Sequence, residues 1–574
     1  MSGAYPLSRV LAGEDASKPS TLPLKYFFNG NIRTLAQTHP LAPHMLVAGE
    51  KIWFCSDHRA PLGLDFRESG FAHQRKLYEQ EIEFIDLEGR TVLPAFGDAH
   101  VHFLWWALNN SRPNLSEARS AEEAVAQLVA EAGNTPRGEW IVGHGWSHNS
   151  WPGASLPRKE LLDAAFPHHP VYLTSKCGHL AWLNSLALKL VGIDAHTPDP
   201  PGGEICREGP PHAPRLTGIL KEDAVLLVEA AVPPPSKHAK RNAFLRGQLR
   251  AHALGITSIH TPEDLDTWEF YGQMRSAGLL RLRVAFLLPL ASLDDALAMR
   301  LRWGSGDDLL FVAGIKLFAD GSLGARTALM WEPYENEPEN YGTEVRTADE
   351  ILEATIKANR AGLPVAVHAI GDRAVGVVLQ ALEAAASETG AMGAADTRPL
   401  VRNRIEHLQL IAPRDLELLR AVRPVASVQP VHLCADWKPA EAHWGKRARF
   451  AYAFRTLAQH GCTLAFGTDA PVEPIHPWYG IYAAVTRCDL EGKPPHGWYS
   501  EECLSLEQAV AAYTIGSAQA AGKQHAVGTL QPGRYADFIV LDEDPWHVPP
   551  HDLRNLSVAQ TYFAGECVYK QRSE

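Results

Sequence analysis

The sequence predicts an α/β protein built on a (β/α)8 TIM barrel, with a small β-domain made from both chain ends and an inserted subdomain over the barrel mouth. Three observations predict it. Near-continuous apolar strands alternate with amphipathic helices through the middle of the chain, which indicates a parallel sheet covered on both faces. Short strand–turn–strand groups occupy both ends. Far more than one helix separates the first barrel strand from the second.

At 574 residues the chain is long enough for two or three domains. LKYFFNGNIRTL and HMLVAGEKIWFCS each break at a turn signal, Asn29-Gly30 and Gly49-Glu50, and IEFIDLEGRTVLPAF follows. VGTLQPGRYADFIVLDEDPW and SVAQTYFAGECVYK read the same way at the far end. Neither group is large enough to bury a sheet face alone, so the two ends are expected to pair. The expected boundaries are 1–95 for the N-terminal β part, 96–510 for the barrel, and 511–574 for the last barrel helix region and the C-terminal β part.

The eight candidate barrel strands are VLPAFGDAHVHF, GITSIHTP, LRVAFLLPL, FVAGIKLFADGS, LPVAVHAIGD, RNRIEHLQL, RPVASVQP and TLAFGTDAPV. Helix-like segments such as ADEILEATIKANRAG, DRAVGVVLQALEAAASETG and PRDLELLRAV lie between them. In such a barrel, active-site residues collect at the C-terminal strand ends. The long stretch after His102, about 110–232, contains GEWIVGHGWSHNSWPG and PVYLTSKCGHLAWLNSLALKLVGI and is expected to form an α/β insert closed off by the Pro-rich link from Val232 to Pro235.

Composition excludes several classes. A formal net charge of -12 without a Lys/Arg-rich run argues against nucleic acid as a partner. The polar leader MSGAYPLSRVLAGEDASKPS lacks the apolar core of a secretory signal, and no apolar run approaches the roughly 20 residues of a membrane span, so a cytoplasmic protein with a small-molecule substrate is expected. The 8 cysteines include no CxxC pair and read as reduced, small apolar residues.

In TVLPAFGDAHVHF, strand alternation places Asp98, His100 and His102 on one side. Two imidazoles on a rigid strand can hold one metal ion, although a bare HxH also fits two polar residues at a strand end. The rest of the chain decides in favour of ligands. Lys316 lies on strand four, His368 ends strand five, His407 ends strand six and Asp469 ends strand eight, so one barrel mouth would gather all six residues. Four histidines and a carboxylate suit Zn2+ or a similar borderline ion rather than Mg2+ or Ca2+. With two ions, the HxH pair would hold one and His368 with His407 the other. Lys316 would bridge them as a CO2-derived carbamate or, in the simpler alternative, pair with Asp320.

The set DAHVH, GIKLFADGSLGARTA, VAVHAIGD, RIEHLQL and FGTDAPV closely resembles the amidohydrolase superfamily, and within it amidohydrolase family 3, the branch of YtcJ-like proteins and N-substituted formamide deformylases. The resemblance extends through most of the chain, including GWSHNSWPGASLPRKELLDAAFP and GHLAWLNSLAL in the insert. It implies a (β/α)8 barrel, a composite β-sandwich from both ends, an insert over the active site, a metal-dependent hydrolase and a homodimer. Pro94-Ala95 departs from the Pro-Gly usual in the family and leaves the ligands untouched.

The expected chemistry is hydrolysis of an amide or cyclic amide C–N bond by metal-activated water, with Asp469 as the proton carrier. Asp98 is a candidate for fixing an imidazole of the HxH pair, or else caps a turn. His179 either reaches the substrate carbonyl as a donor or satisfies the insert's own backbone. Asp320, Ser322 and Arg326 follow the Lys316 strand and could shape the pocket, and Trp146 could give it an apolar wall, which favours a hydrophobic or aromatic substituent. The first alternative is a mononuclear-metal deaminase of an amino-heterocycle; it needs a glutamate beside His368 or His407, and alternation turns Glu406 to the opposite face. A scaffold that has lost its chemistry is the second alternative, and the intact ligand set argues against it.

Overall fold

Eight strands lie side by side in chain order in one parallel sheet: Phe96–Asp98, Ile256–Thr261, Arg283–Pro289, Leu310–Phe318, Val365–Ala369, Arg404–His407, Val425–Val428 and Thr463–Phe466. The computed structural model describes residues 23–56, 82–110, 112–210, 212–229, 231–389 and 402–571. The polar leader, up to residue 22, lies outside the described residues.

The first and eighth strands approach one another at the seam. Ala99 N–H donates to Phe466 O at 2.9 Å and Asp469 N–H to His100 O at 2.7 Å, so the sheet is a nearly closed TIM barrel. The regular strand stops at Asp98, but the chain keeps bonding to both neighbours, with Val101 N–H donating to His260 O at 3.0 Å. His100 and His102 are therefore held on strand-like backbone between strands two and eight.

The covering helices follow from local sequence. In Ala348–Arg360, Thr347 and Glu350 form a capping box that satisfies orphan N–H groups, and Ile351, Ala354, Thr355 and Ala358 make the buried stripe. Asp372–Thr389 buries Val375, Val378, Leu379 and Leu382 at the same helical spacing. All five residues of Val365–Ala369 are buried, as expected for a strand with helices outside and a packed barrel inside.

The chain ends build two further sheets. One joins Lys51–Ser56, His44–Ala48, Leu24–Phe28 and Ile82–Asp86; the other joins Glu566–Lys570, Val558–Phe563, Phe538–Leu541, Thr91–Pro94, Asn31–Arg33 and Leu41–Ala42. Ile539 stands opposite Leu93 in an antiparallel ladder, which is where the two termini meet. Phe27, Met45 and Val47 from one sheet pack with Val92, Phe538 and Tyr562 from the other, making a sandwich.

Between the first two barrel strands stands a five-stranded sheet in the order Gly203–Glu208, Arg215–Glu222, Leu180–Leu183, Val171–Ser175, Ile141–Trp146. Helices Ala121–Ala132, Lys159–Ala165 and Ser185–Leu190 accompany it. Its core of Leu128, Ile141, Trp146, Trp151, Leu162 and Trp182 extends to Ala325, in the loop after the fourth barrel strand. This contact seats the insert on the barrel mouth.

Candidate metal centre

The tightest group at the mouth is His100, His102 and Asp469. His100 Nε2 and His102 Nε2 lie 3.6 and 3.4 Å from Asp469 Oδ1. Asp469 sits beyond the eighth strand with φ 56, a left-handed conformation that turns its carboxylate back over the barrel axis. His368 and His407 stand beside the group, their ring centroids 4.5 Å apart and the His407 ring 4.9 Å from that of His100.

Three of these rings are polarised in the same sense. His100 Nδ1–H donates to Glu406 Oε2 at 2.5 Å, His368 Nε2–H to Gly321 O at 2.9 Å, and His407 Nδ1–H to Gln429 Oε1 at 2.8 Å. The Gln429 amide is oriented by its own bond from Nε2 to Ser427 O at 3.2 Å. Each outer nitrogen thus carries the proton and each remaining nitrogen keeps a bare lone pair, the arrangement metal-binding histidines adopt. Burial, with Lys316 nearby, lowers the pKa of His100 and His368, and burial with His368 nearby lowers that of His407, so all three rings are neutral. Burial works against ionisation of Asp469, yet the neighbouring imidazoles of His102, His100 and His407 hold it well below the usual carboxylate range. Its Oδ1 is buried and has no hydrogen-bond partner among the described residues. A buried anionic oxygen beside bare imidazole nitrogens fits a divalent transition ion.

Lys316 projects from the fourth strand, 4% exposed, with Nζ 4.8 Å from the Phe318 ring centroid. Burial draws its pKa down to about 8, against the opposing fields of Glu406 and Asp469. The alternative pairing with Asp320 does not form. Both Asp320 oxygens are occupied by backbone N–H groups of Leu329, Ile370 and Gly371 at 2.8–3.0 Å.

Several expected roles are corrected by this geometry. Asp320 organises the loops after strands four and five from a fully buried position and is not among the residues lining the cavity. Arg326 is ion-paired with Glu337, away from the cavity walls. Asp98 accepts from Thr468 N and Oγ1 at 3.0 and 2.5 Å and from His100 N at 3.2 Å, so it ties strand one to strand eight and reaches no imidazole.

The carboxylate that orients His100 is Glu406, which alternation had turned away. Arg404 and Glu406 share the inward face of strand six, and His407 also turns inward because it takes φ 71 and breaks the pleat. Glu406 is fully buried and its Oε1 lies 2.8 Å from Arg404 Nε. Burial disfavours its charge, but Arg404 and His100 hold it well below the ordinary glutamate range.

From the insert, His179 lies over the cluster with its ring centroid 5.8 Å from that of His368. Its Nδ1–H donates to Glu222 Oε2 at 2.6 Å, and Glu222 also accepts from Thr327 Oγ1 in the loop after strand four. Burial would lower the His179 pKa, but Glu222 outweighs it and raises the value. Ser322 lines the same cavity, with its N–H donating to Thr327 Oγ1 and its Oγ accepting from Ala325 N. Trp146 forms part of the wall while its Nε1–H donates to Leu173 O at 2.9 Å inside the insert. The cavity, about 780 Å³ counting its open mouth, also meets Leu323, Ile370, Pro439 and Val472.

Sequence reasoning missed Glu222, Gln429 and His432 as well as Glu406. His432, just past the seventh strand in VASVQPVHL, carried the same strand-end signal as the ligands. Its Nε2 lies 3.6 Å from Asp469 Oδ2.

The model of the amidohydrolase family matches residues 83–569. The chain is 32% identical to Protein LONG AFTER FAR-RED 3 of Arabidopsis thaliana, over 94% of this chain and 91% of that protein. It is 33% identical to the putative amidohydrolase YtcJ of Bacillus subtilis, over 87% and 92%, and 26% identical to N-substituted formamide deformylase of Arthrobacter pascens, over 95% and 98%. An uncharacterized metal-dependent hydrolase from Pyrococcus horikoshii superposes with a TM-score of 0.71 at 29% identity, covering 92% of this chain and 99% of that one. With the barrel and the candidate ligand group at its mouth, these likenesses define a metal-dependent hydrolase. The chain belongs to the amidohydrolase family.

Proposed function

We propose that the protein hydrolyses an amide or cyclic amide C–N bond in a small molecule, on a centre of two divalent transition ions, with zinc as the expected metal. The observation that carries this reading is the common polarity of His100, His368 and His407, each of which keeps an unprotonated ring nitrogen, with the His368 and His407 rings standing beside the group of His100, His102 and the ionised Asp469. The likeness to N-substituted formamide deformylase favours a C–N bond. The cavity wall of Trp146, Leu323, Ile370 and Val472 favours a hydrophobic or aromatic substituent.

His100 and His102 would hold one ion, and His368 with His407 the other. Lys316, buried and without an ion-pair partner among the described residues, would join them as its carbamate, and Asp469 would complete the set. When bound, such ions acidify water and polarise a carbonyl oxygen. Asp469 takes the proton of the attacking water and delivers it to the departing nitrogen, which is too basic to leave as an anion. His179, aimed by Glu222 and tethered through Thr327, donates to the substrate carbonyl oxygen. Ser322 and Trp146 shape the pocket around the acyl group.

Deamination by a single ion would require a free carboxylate beside the strand-five or strand-six histidine. Glu406 is engaged by His100 and Arg404. The homodimer implied by the resemblance and the cytoplasmic location expected from the sequence belong to the same reading, and light scattering tests the first. The deciding assay is a panel of N-substituted formamides and cyclic amides with zinc-loaded protein. Carboxylate and amine released together support the proposal, whereas ammonia from amino-heterocycles without a carboxylate would replace it with deamination.

A further inference from the structure

We propose that His432 selects substrates carrying a hydrogen-bond acceptor, such as the oxygen of a second carbonyl, within three bonds of the scissile nitrogen. This rests on the C–N hydrolase reading above and narrows its substrate class. His432 opens the helix His432–Trp444 directly after the seventh barrel strand, is 6% exposed and lines the cavity. Its Nε2 is buried with no hydrogen-bond partner among the described residues.

The ring is polarised opposite to the ligand histidines. Gln409 Nε2 lies 3.3 Å from His432 Nδ1, and with that amide donating to the Nδ1 lone pair the ring proton sits on Nε2. Where His100, His368 and His407 offer bare nitrogens, His432 offers an unmet N–H. Its plane lies within 22° of the His407 ring, with centroids 6.2 Å apart.

Asp469 shows where that N–H meets substrate. Oδ1 faces His100 and His102, while Oδ2 faces His407 Nδ1 at 3.9 Å and His432 Nε2 at 3.6 Å. A carboxylate that hands a proton to the departing nitrogen brings that nitrogen within bonding distance of it. The first atoms beyond the nitrogen then pass within reach of His432, on the side away from the HxH pair. His179 serves the acyl oxygen and His432 serves the nitrogen substituent. A purely aliphatic substituent would bury the His432 N–H unpaired, and a site built to donate rejects a ligand that lacks the acceptor.

The test uses two N-formyl amines of equal length, N-formylglycinamide and N-formylpropylamine, with zinc-loaded wild type, His432→Leu and His432→Gln. Calorimetry of the product amines, glycinamide and propylamine, gives a binding readout that needs no turnover. Wild type should favour the carbonyl compound by at least about 100-fold in kcat/KM. His432→Leu should collapse that ratio to a few-fold, and His432→Gln, which keeps a donor, should retain much of it. Zinc per chain should be the same in all three proteins. A wild type without the preference, a ratio that survives in His432→Leu, or zinc lost from His432→Leu would overturn the inference, the last by making His432 a ligand. If neither compound nor any other amide is hydrolysed while glycinamide still binds more tightly than propylamine in a His432-dependent way, the C–N reading fails and the donor assignment stands.

Discussion

His100 Nδ1 and Glu406 Oε2 are 2.5 Å apart in the barrel interior, joining strand one to strand six beneath the mouth. Arg404 lies on the other side of Glu406 and extends the chain of contacts, with Nη1 donating to His260 Nδ1 at 2.9 Å and Nη2 to Ser427 Oγ at 2.9 Å. Desolvating a carboxylate and a guanidinium is costly. The pair acts by fixing the tautomer and direction of His100 and making its Nε2 more electron-rich.

Replacing Glu406 by Gln should weaken metal binding by about 10–100-fold, read by chelator competition. Glu406→Ala should also leave Arg404 buried and unpaired and cost about 3–5 kcal/mol in urea unfolding. Unchanged metal affinity in both variants would remove Glu406 from the orientation of His100.

Asp469→Asn should lower kcat by about 10²–10⁴-fold, the range of a lost general base, with the circular dichroism spectrum unchanged. A variant that keeps a near-normal rate would contradict the proton-carrying role.

On the proposed donor role, His179→Ala should lower kcat by about 10²–10³-fold with metal content unchanged, because His179 comes from the insert, is held by Glu222 and lies over the centre beside His368. Glu222→Gln should show a smaller loss of the same kind. Loss of metal in either variant would place His179 among the ligands.

The barrel is bolted to the sandwich by Arg283, whose Nε and Nη2 donate to Asp537 at 2.6 and 3.0 Å with both side chains under a tenth exposed. Asp537→Ala should cost about 3–5 kcal/mol in urea unfolding, since it strands a buried cation. Arg158 pairs with Glu208 on the surface, and Arg158→Ala should cost under about 1 kcal/mol. Equal effects would mean that burial does not set the strength of the first pair.

The barrel strands were legible because each is a short apolar run between amphipathic helices, and the candidate ligands His100, His102, His368, His407 and Asp469 could be singled out because they stand at strand ends. What escaped was set by conformations that break local periodicity or by distant pairing. Alternation failed at Glu406 because His407 leaves the pleat. Glu222, also at positive φ, meets His179 and Thr327, the latter 105 residues away. Asp320 and Arg326 lie in the loop after Lys316, where a pocket is expected, but backbone amides take up one and Glu337 the other.

The most direct test of the two-ion centre is elemental analysis of protein purified with bicarbonate and without chelators. Close to two transition-metal ions per chain are expected, falling in Lys316→Ala. One ion per chain, unchanged by Lys316→Ala, would contradict the bridged centre and return the mononuclear deaminase to first place.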